Sequence, residues 1–190
     1  VIDYFGDELV PFSHLYNSTW LNERAVELAV AAHWLRGGMP TLEVGNVLNH
    51  YEPLAFDHVV VDRYEQADGV FSLDVFDVDA EFDQIVSIST MEHVRWDEEP
   101  RMDDGAVRAV EHLLNLLRPG GRMLVTAPTG HNPGLDGYLS GGAGASRLCT
   151  FVREGGLFDP VWRRTEVPAV LPYGGIQPWA QAVWVVEWEL

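Results

Sequence analysis

Glu43 and Gly45 stand two residues apart in the stretch TLEVGNVLNHY. A glycine at such a place lets the backbone run close to a ligand, because no β-carbon intervenes. It serves a tight strand-to-helix turn equally well. A dinucleotide-binding loop would continue with glycines at 47 and 49, and this chain has Val47 and Asn49. Asp62 follows 17 residues beyond Gly45, at the end of HVVVD, a passage that fits one helix and the next strand. A carboxylate there can accept from two neighbouring ribose hydroxyls, a use shared with nicotinamide dinucleotide sites, or face water at a strand end. In SISTMEHV, His93 follows Glu92. An imidazole changes charge near neutrality and can take a proton from a hydroxyl or an amine; it can also pack and make one structural hydrogen bond. His131 and Asn132 follow TAPTG, and His50 and Tyr51 follow the first loop. All are candidates for touching a substrate. His50, His93 and His131 could converge on a metal, but no HExxH or comparable ligand spacing is present, and no metal is expected.

These residues need elements to hold them. Leu21, Ala25, Leu28, Ala32 and Leu35 recur at helical spacing, so a helix is expected over 20–36, ended by Gly37-Gly38. PTLEV and HVVVD are strands with continuous apolar cores, as in a sheet covered on both faces. A third strand belongs within 69–75 and a fourth over 82–89. Val107, Val110, Leu113, Leu114 and Leu117 predict a helix over 103–117 that stops at LRPGG. RMLVTAP is the next strand, so strand and helix alternate as in βαβ units. Residues 129–150 break the pattern and are expected to form a substrate loop or lid, with a short helix over 145–154. Strands over 161–167 and 182–190 close the chain, joined by PYGGIQPW as a long turn. The 190 residues form a single domain, with an N-terminal helical segment over 1–40.

Composition excludes several functions. The hydrophobic fraction of 47% supplies a core. With 29 acidic and 12 basic residues the net charge is -17. A phosphate-backbone binder carries a basic face, so nucleic acid is not an expected partner. Cys149 is the only cysteine, which excludes an intramolecular disulfide and a thiolate metal cluster. No apolar run approaches the roughly 20 residues of a membrane span, and no signal-peptide pattern is present. A cytoplasmic location is the expectation. The oligomeric state stays open.

Four blocks, LEVGNVLNHY, VVVDRYE, FDQIVSISTMEHV and LLRPGGRMLVTAP, run in order from residue 41 to 128. Together they resemble class I S-adenosylmethionine-dependent methyltransferases. SISTMEHV is also similar to a block in a bacterial group of small methyltransferases. The resemblance implies an α/β, single-domain Rossmann-like fold: a seven-stranded, mostly parallel sheet, one antiparallel strand near the C-terminus, and helices on both faces. It implies S-adenosyl-L-methionine as cofactor, held by Glu43, Gly45 and Asn46 in the first loop and by Asp62 at the ribose. Asp74, with Asp77 as the competing choice, would meet the adenine amine, and Ser87 and Ser89 would lie beneath the cofactor. Tyr64 is a further candidate for the pocket wall. Glu92 and His93 would stand near the transferred methyl, His93 as base and Glu92 orienting it, contacting the cofactor or capping a helix. His50, His131 and Asn132 would face the acceptor, with Trp96 and Trp179 as candidate walls. That acceptor is expected to be a small molecule or a glycan-linked group, oxygen favoured over nitrogen. The competing readings are a nicotinamide-dependent oxidoreductase and a noncatalytic cofactor-binding protein with a degenerate site.

Overall fold

TLEV is buried at all four positions, and its parallel neighbours on both sides explain why. The computed structural model describes residues 1–165, 167–174 and 179–190. A hairpin of β1 (Ile2–Tyr4) and β2 (Asp7–Leu9) opens the chain and precedes α1 (Arg24–Trp34). The strands β3 (Thr41–Val44), β4 (Val59–Val61), β5 (Val70–Phe71) and β6 (Phe82–Ile88) follow, then α2 (Gly105–Asn115) and β7 (Leu117–Pro128). After α3 (Pro133–Ser140) come β8 (Arg147–Gly155), β9 (Pro160–Thr165) and β10 (Ala182–Glu189).

The main sheet has eight strands in the order β5-β4-β3-β6-β7-β10-β8-β9. From β5 to β7 all neighbours are parallel, while β10 runs antiparallel to both β7 and β8, and β9 antiparallel to β8. Two strands therefore run against the rest, and the sheet has one strand more than expected. α1 and the hairpin cover one face, where Val26, Val30, Ile2 and Tyr4 meet Ile88, Leu124 and Phe151. α2 and α3 cover the other, where Ala109, Leu113 and Leu139 meet Ile85, Val125 and Trp184. The fold is α/β and Rossmann-like, with a mixed central sheet between helices.

Three local expectations change. The helix predicted over 145–154 is strand β8: Cys149 and Phe151 go into the α1-side core while the backbone pairs with β10. The first 40 residues hold the hairpin, and α1 begins at Arg24 behind a 3-10 turn over Tyr16–Leu21. The passage from Gly45 to Asp62 contains no α-helix, only 3-10 turns at Leu48–His50 and Glu52–Leu54. Pro53 lies inside the second of these, and a proline within a turn withdraws a backbone donor. The stretch 129–150 contains α3, started by Pro133 and capped by Asn132, whose Oδ1 accepts from Leu135 N at 3.1 Å. Such a cap contributes about 1 kcal/mol. Part of PYGGIQPW, residues 175–178, lies outside the described residues.

Candidate active site

The parallel strands end on one rim, the place where open α/β sheets bind ligands. A cavity of about 270 Å³ opens there, lined by Gly45 and Val61, Asp62 and Asp74, and Thr90 and His93 among others. It collects the ends of β3, β4 and β6 and the loop after β5.

Gly45 makes the sharp exit from β3. Its φ is +88°, and a β-carbon would stand 2.1 Å from Thr90 Oγ1. Gly45→Ala is therefore expected to destabilise the protein by more than the about 1–2 kcal/mol of a left-handed backbone alone, read from the denaturant midpoint. Adding Thr90→Ala should recover part of the loss. A wild-type midpoint in Gly45→Ala would remove the close approach as an explanation for this glycine.

Glu43 does not line the cavity. Its Oε1 accepts from the amides of Val47 and Leu48 at 2.9 and 2.8 Å, and its Oε2 meets His58 Nε2 at 2.8 Å. His58 Nδ1 lies 2.7 Å from the Phe56 carbonyl. Burial opposes a charge on His58, but Glu43 and the carbonyl outweigh it and raise its pKa above the ordinary value. Glu43 therefore holds the amides of its own loop. Asn46 ties the first loop to the segment after β4 through Glu65 at 2.6 Å, and it too stands outside the cavity wall.

Asp62 lies on the wall. Its Oδ1 accepts from the amides of Tyr64 and Glu65, both at 2.8 Å. Its other oxygen has no hydrogen-bond partner among the described residues. Asp74 lines the cavity and Asp77 does not. Asp74 is already engaged, however: Oδ1 accepts from Phe76 N at 3.1 Å, and Oδ2 meets Arg95 at 2.5 Å and Arg63 at 3.0 Å. An adenine amine would have to share that carboxylate with two guanidiniums. Tyr64 lines the cavity from an exposed position.

Ser87 is buried off the cavity, its hydroxyl donating to the Val44 carbonyl at 3.0 Å. Ser89 is on the wall with a φ of +42°, an uncommon conformation for a residue with a side chain. Its hydroxyl donates to Glu27 Oε1 at 2.6 Å. Glu27 also accepts from Thr126 at 2.9 Å and pairs with Arg24 at 2.5 Å. This buried cluster holds the strand end from behind, so Ser89 offers its backbone rather than its hydroxyl to the cavity.

His93 stands half exposed at the wall with Nδ1 2.5 Å from Asp97 Oδ2. His131 joins it, the two rings 4.7 Å apart, and Tyr173 lies 5.1 Å beyond. Glu92 is buried and neither carboxylate oxygen has a hydrogen-bond partner. Burial, with Glu27 adding to it, holds its pKa well above the ordinary carboxylate range. Asn132 is engaged at both ends, capping α3 and donating to the Glu92 carbonyl at 3.0 Å. His50 does not join His93 and His131; it stacks on Tyr16 at 5.0 Å. Trp96 lies under Arg101 and Trp179 beside Arg153, both off the cavity wall. Sequence reasoning passed over Asp97, Arg63, Arg95 and Glu27. Asp97, four residues after His93, and Glu27, three after Arg24, carried spacing signals.

No family model and no curated protein sequence matches the chain. Solved structures do. A SAM-dependent methyltransferase of Thermotoga maritima, described as a possible histamine N-methyltransferase, is 15% identical, with 86% of this chain and 87% of that one covered and a TM-score of 0.52. The N-methyltransferase NodS of Bradyrhizobium japonicum WM9 is 13% identical over 80% and 86% of the two chains, with a TM-score of 0.45. DhpI, in a complex named DhpI-SAM-HEP, is 18% identical over 90% of each, with a TM-score of 0.44. At such identities the similarity is one of fold: the chain has the fold of class I methyltransferases, and no narrower group is matched. No helix among the described residues is long and apolar enough to cross a membrane.

Proposed function

We propose that the chain transfers the methyl group of S-adenosyl-L-methionine to a small-molecule or glycan-linked acceptor, oxygen being the receiving atom. The observation that carries this reading is the cavity itself. It places the left-handed Gly45 and the half-open carboxylate of Asp62 on the same wall as His93. Gly45 and Asp62 would border the methionine and ribose portions, and Asp74 the adenine. Ser89 would pass beneath with its backbone. Glu43 and Asn46 would act through the loop they brace. A cytoplasmic location belongs to the same reading, supported by the single, buried thiol of Cys149.

Transfer needs nucleophile, methyl carbon and sulfur in line, with water excluded. The acceptor oxygen forms the new bond to carbon while the carbon–sulfur electrons return to sulfur. His93, steadied by Asp97, takes the hydroxyl proton. His131 and Tyr173 would border the acceptor. His93→Ala should lower turnover by about 100-fold or more and leave donor affinity unchanged. Full turnover on the true acceptor would remove the base role.

The dinucleotide alternative meets a physical obstacle. Loop amides that could face a pyrophosphate already donate to Glu43. Calorimetry with S-adenosylmethionine and NADH tests the choice. Binding of NADH with no response to the methyl donor would overturn the proposal. A labelled donor offered with hydroxylated small molecules and glycans then tests transfer.

A further inference from the structure

Three buried side-chain atoms near His93 lack hydrogen-bond partners: Nε2 of His131 and both carboxylate oxygens of Glu92. They meet His93 through its two different nitrogens. His93 Nε2 is 3.6 Å from Glu92 Oε1. His93 Nδ1 is 2.5 Å from Asp97 Oδ2, which is 3.6 Å from His131 Nε2. One ligand atom each from His93, Asp97 and His131 thus lies within 4.8 Å of the others. Nitrogen and oxygen ligands stand about 2.0–2.2 Å from a zinc-like ion, so atoms sharing one ion are up to about 4.4 Å apart. The side chains of His93 and Asp97 are both 51% exposed and free to make the remaining adjustment.

We propose that His93, Asp97 and His131 form a binding site for one divalent transition-metal ion at the acceptor end of the cavity. Two imidazoles and one carboxylate suit zinc, cobalt or nickel better than magnesium or calcium, which prefer oxygen. The ion gives the unpartnered His131 nitrogen a ligand role. It also gives Glu92 one. With Nδ1 of His93 on the metal, Nε2 carries the proton and points it at the Glu92 carboxylate, the carboxylate–histidine–metal arrangement that fixes a ligating ring. Three protein ligands on a half-exposed rim leave a coordination position for an outside group.

Metal binding stands independently of methyl transfer, but its use rests on that reading. The open position would take the acceptor oxygen beside the donor and lower the pKa of its hydroxyl. The proton leaves to solvent, the oxygen forms its bond to the methyl carbon, and the carbon–sulfur pair returns to sulfur. A ligated His93 takes no proton. The base role described for His93 therefore belongs to the metal-free chain, and the loaded chain does without it.

The test is titration of the full purified chain with Co²⁺, followed by visible absorption, and with Zn²⁺ by calorimetry, no donor being present. One equivalent is expected. Asp97→Ala and His131→Ala should each weaken binding by at least about 10-fold, and Glu92→Gln by about 10-fold. His33→Ala, whose ring faces Asp7 on the hairpin, should bind as wild type. Absence of a cobalt spectrum and of heat with zinc would overturn the site. Binding undiminished in both Asp97→Ala and His131→Ala would overturn it too, by showing adventitious surface binding. Circular dichroism checks that each variant folds, and the exposed Asp97 keeps the test decisive if His131→Ala does not. Donor calorimetry, run separately, keeps the two proposals apart: a chain that binds donor and no metal loses only the metal site.

Discussion

Replacing Glu43 by alanine is expected to remove about 3–5 kcal/mol of folding stability, the usual consequence of stripping one partner from a buried ion pair. The Leu48 amide and His58 Nε2 would lose their partner at once, and the Val47 amide would keep only the Gly45 carbonyl at 3.1 Å. His58 Nε2 would be left inside the fold without its partner, since the side chain is 1% exposed. Urea unfolding of the variant near neutral pH measures the effect. A shift below about 1 kcal/mol, the net value of a single hydrogen bond, would show that the loop does not depend on this carboxylate. The pH dependence has a definite sign. The His58 pKa is raised in the folded chain from a reference of 6.5, so the protein binds that proton more tightly than its unfolded form does. The stabilisation is complete below about 6.5 and is lost as pH rises through the folded value. His58→Phe should flatten this part of the stability profile.

Asp62→Ala should weaken donor binding by about 10- to 100-fold, corresponding to the about 1.5–3 kcal/mol of hydrogen bonds to a charged group. The variant also removes the acceptor of the Tyr64 and Glu65 amides, so a second substitution is needed for interpretation. Asp62→Asn keeps an oxygen for those amides and loses the charge. If the carboxylate meets ribose hydroxyls, the asparagine variant should fold like wild type and still bind weakly in calorimetry. Wild-type affinity in both variants would refute the ribose contact.

The central parallel strands were legible because they are rich in apolar residues, and β3 and β4 stop directly at Gly45 and Asp62. Val44, Val61 and Ile88 end their strands, and the rim residues follow directly from them. β8 was not legible. Its residues Arg147, Leu148 and Glu154 form helices readily, and pairing with β10 and β9 decides otherwise. The absence of a helix between β3 and β4 escaped notice because a 17-residue spacing fits either passage. At the site, Gly45 and Asp62 were legible from position alone. The engagement of Asp74 by Arg63 and Arg95 was not, since these partners come from two different loops. Asn132 likewise resembles an acceptor contact in sequence. Its two hydrogen bonds, one to α3 and one across to Glu92, exist only once β6 and β7 lie side by side.

The surplus of negative charge, -17 over the chain, acquires a kinetic meaning if the donor is a sulfonium. A sulfonium nucleoside arrives one positive charge richer than the thioether it becomes. An acidic molecule draws the first toward its surface more strongly than the second. Added salt should slow capture of fresh donor while leaving capture of the thioether nearly unchanged, because screening acts on the charge that differs. The protein would then resist inhibition by its own by-product best in dilute buffer, and progressively less as ionic strength rises.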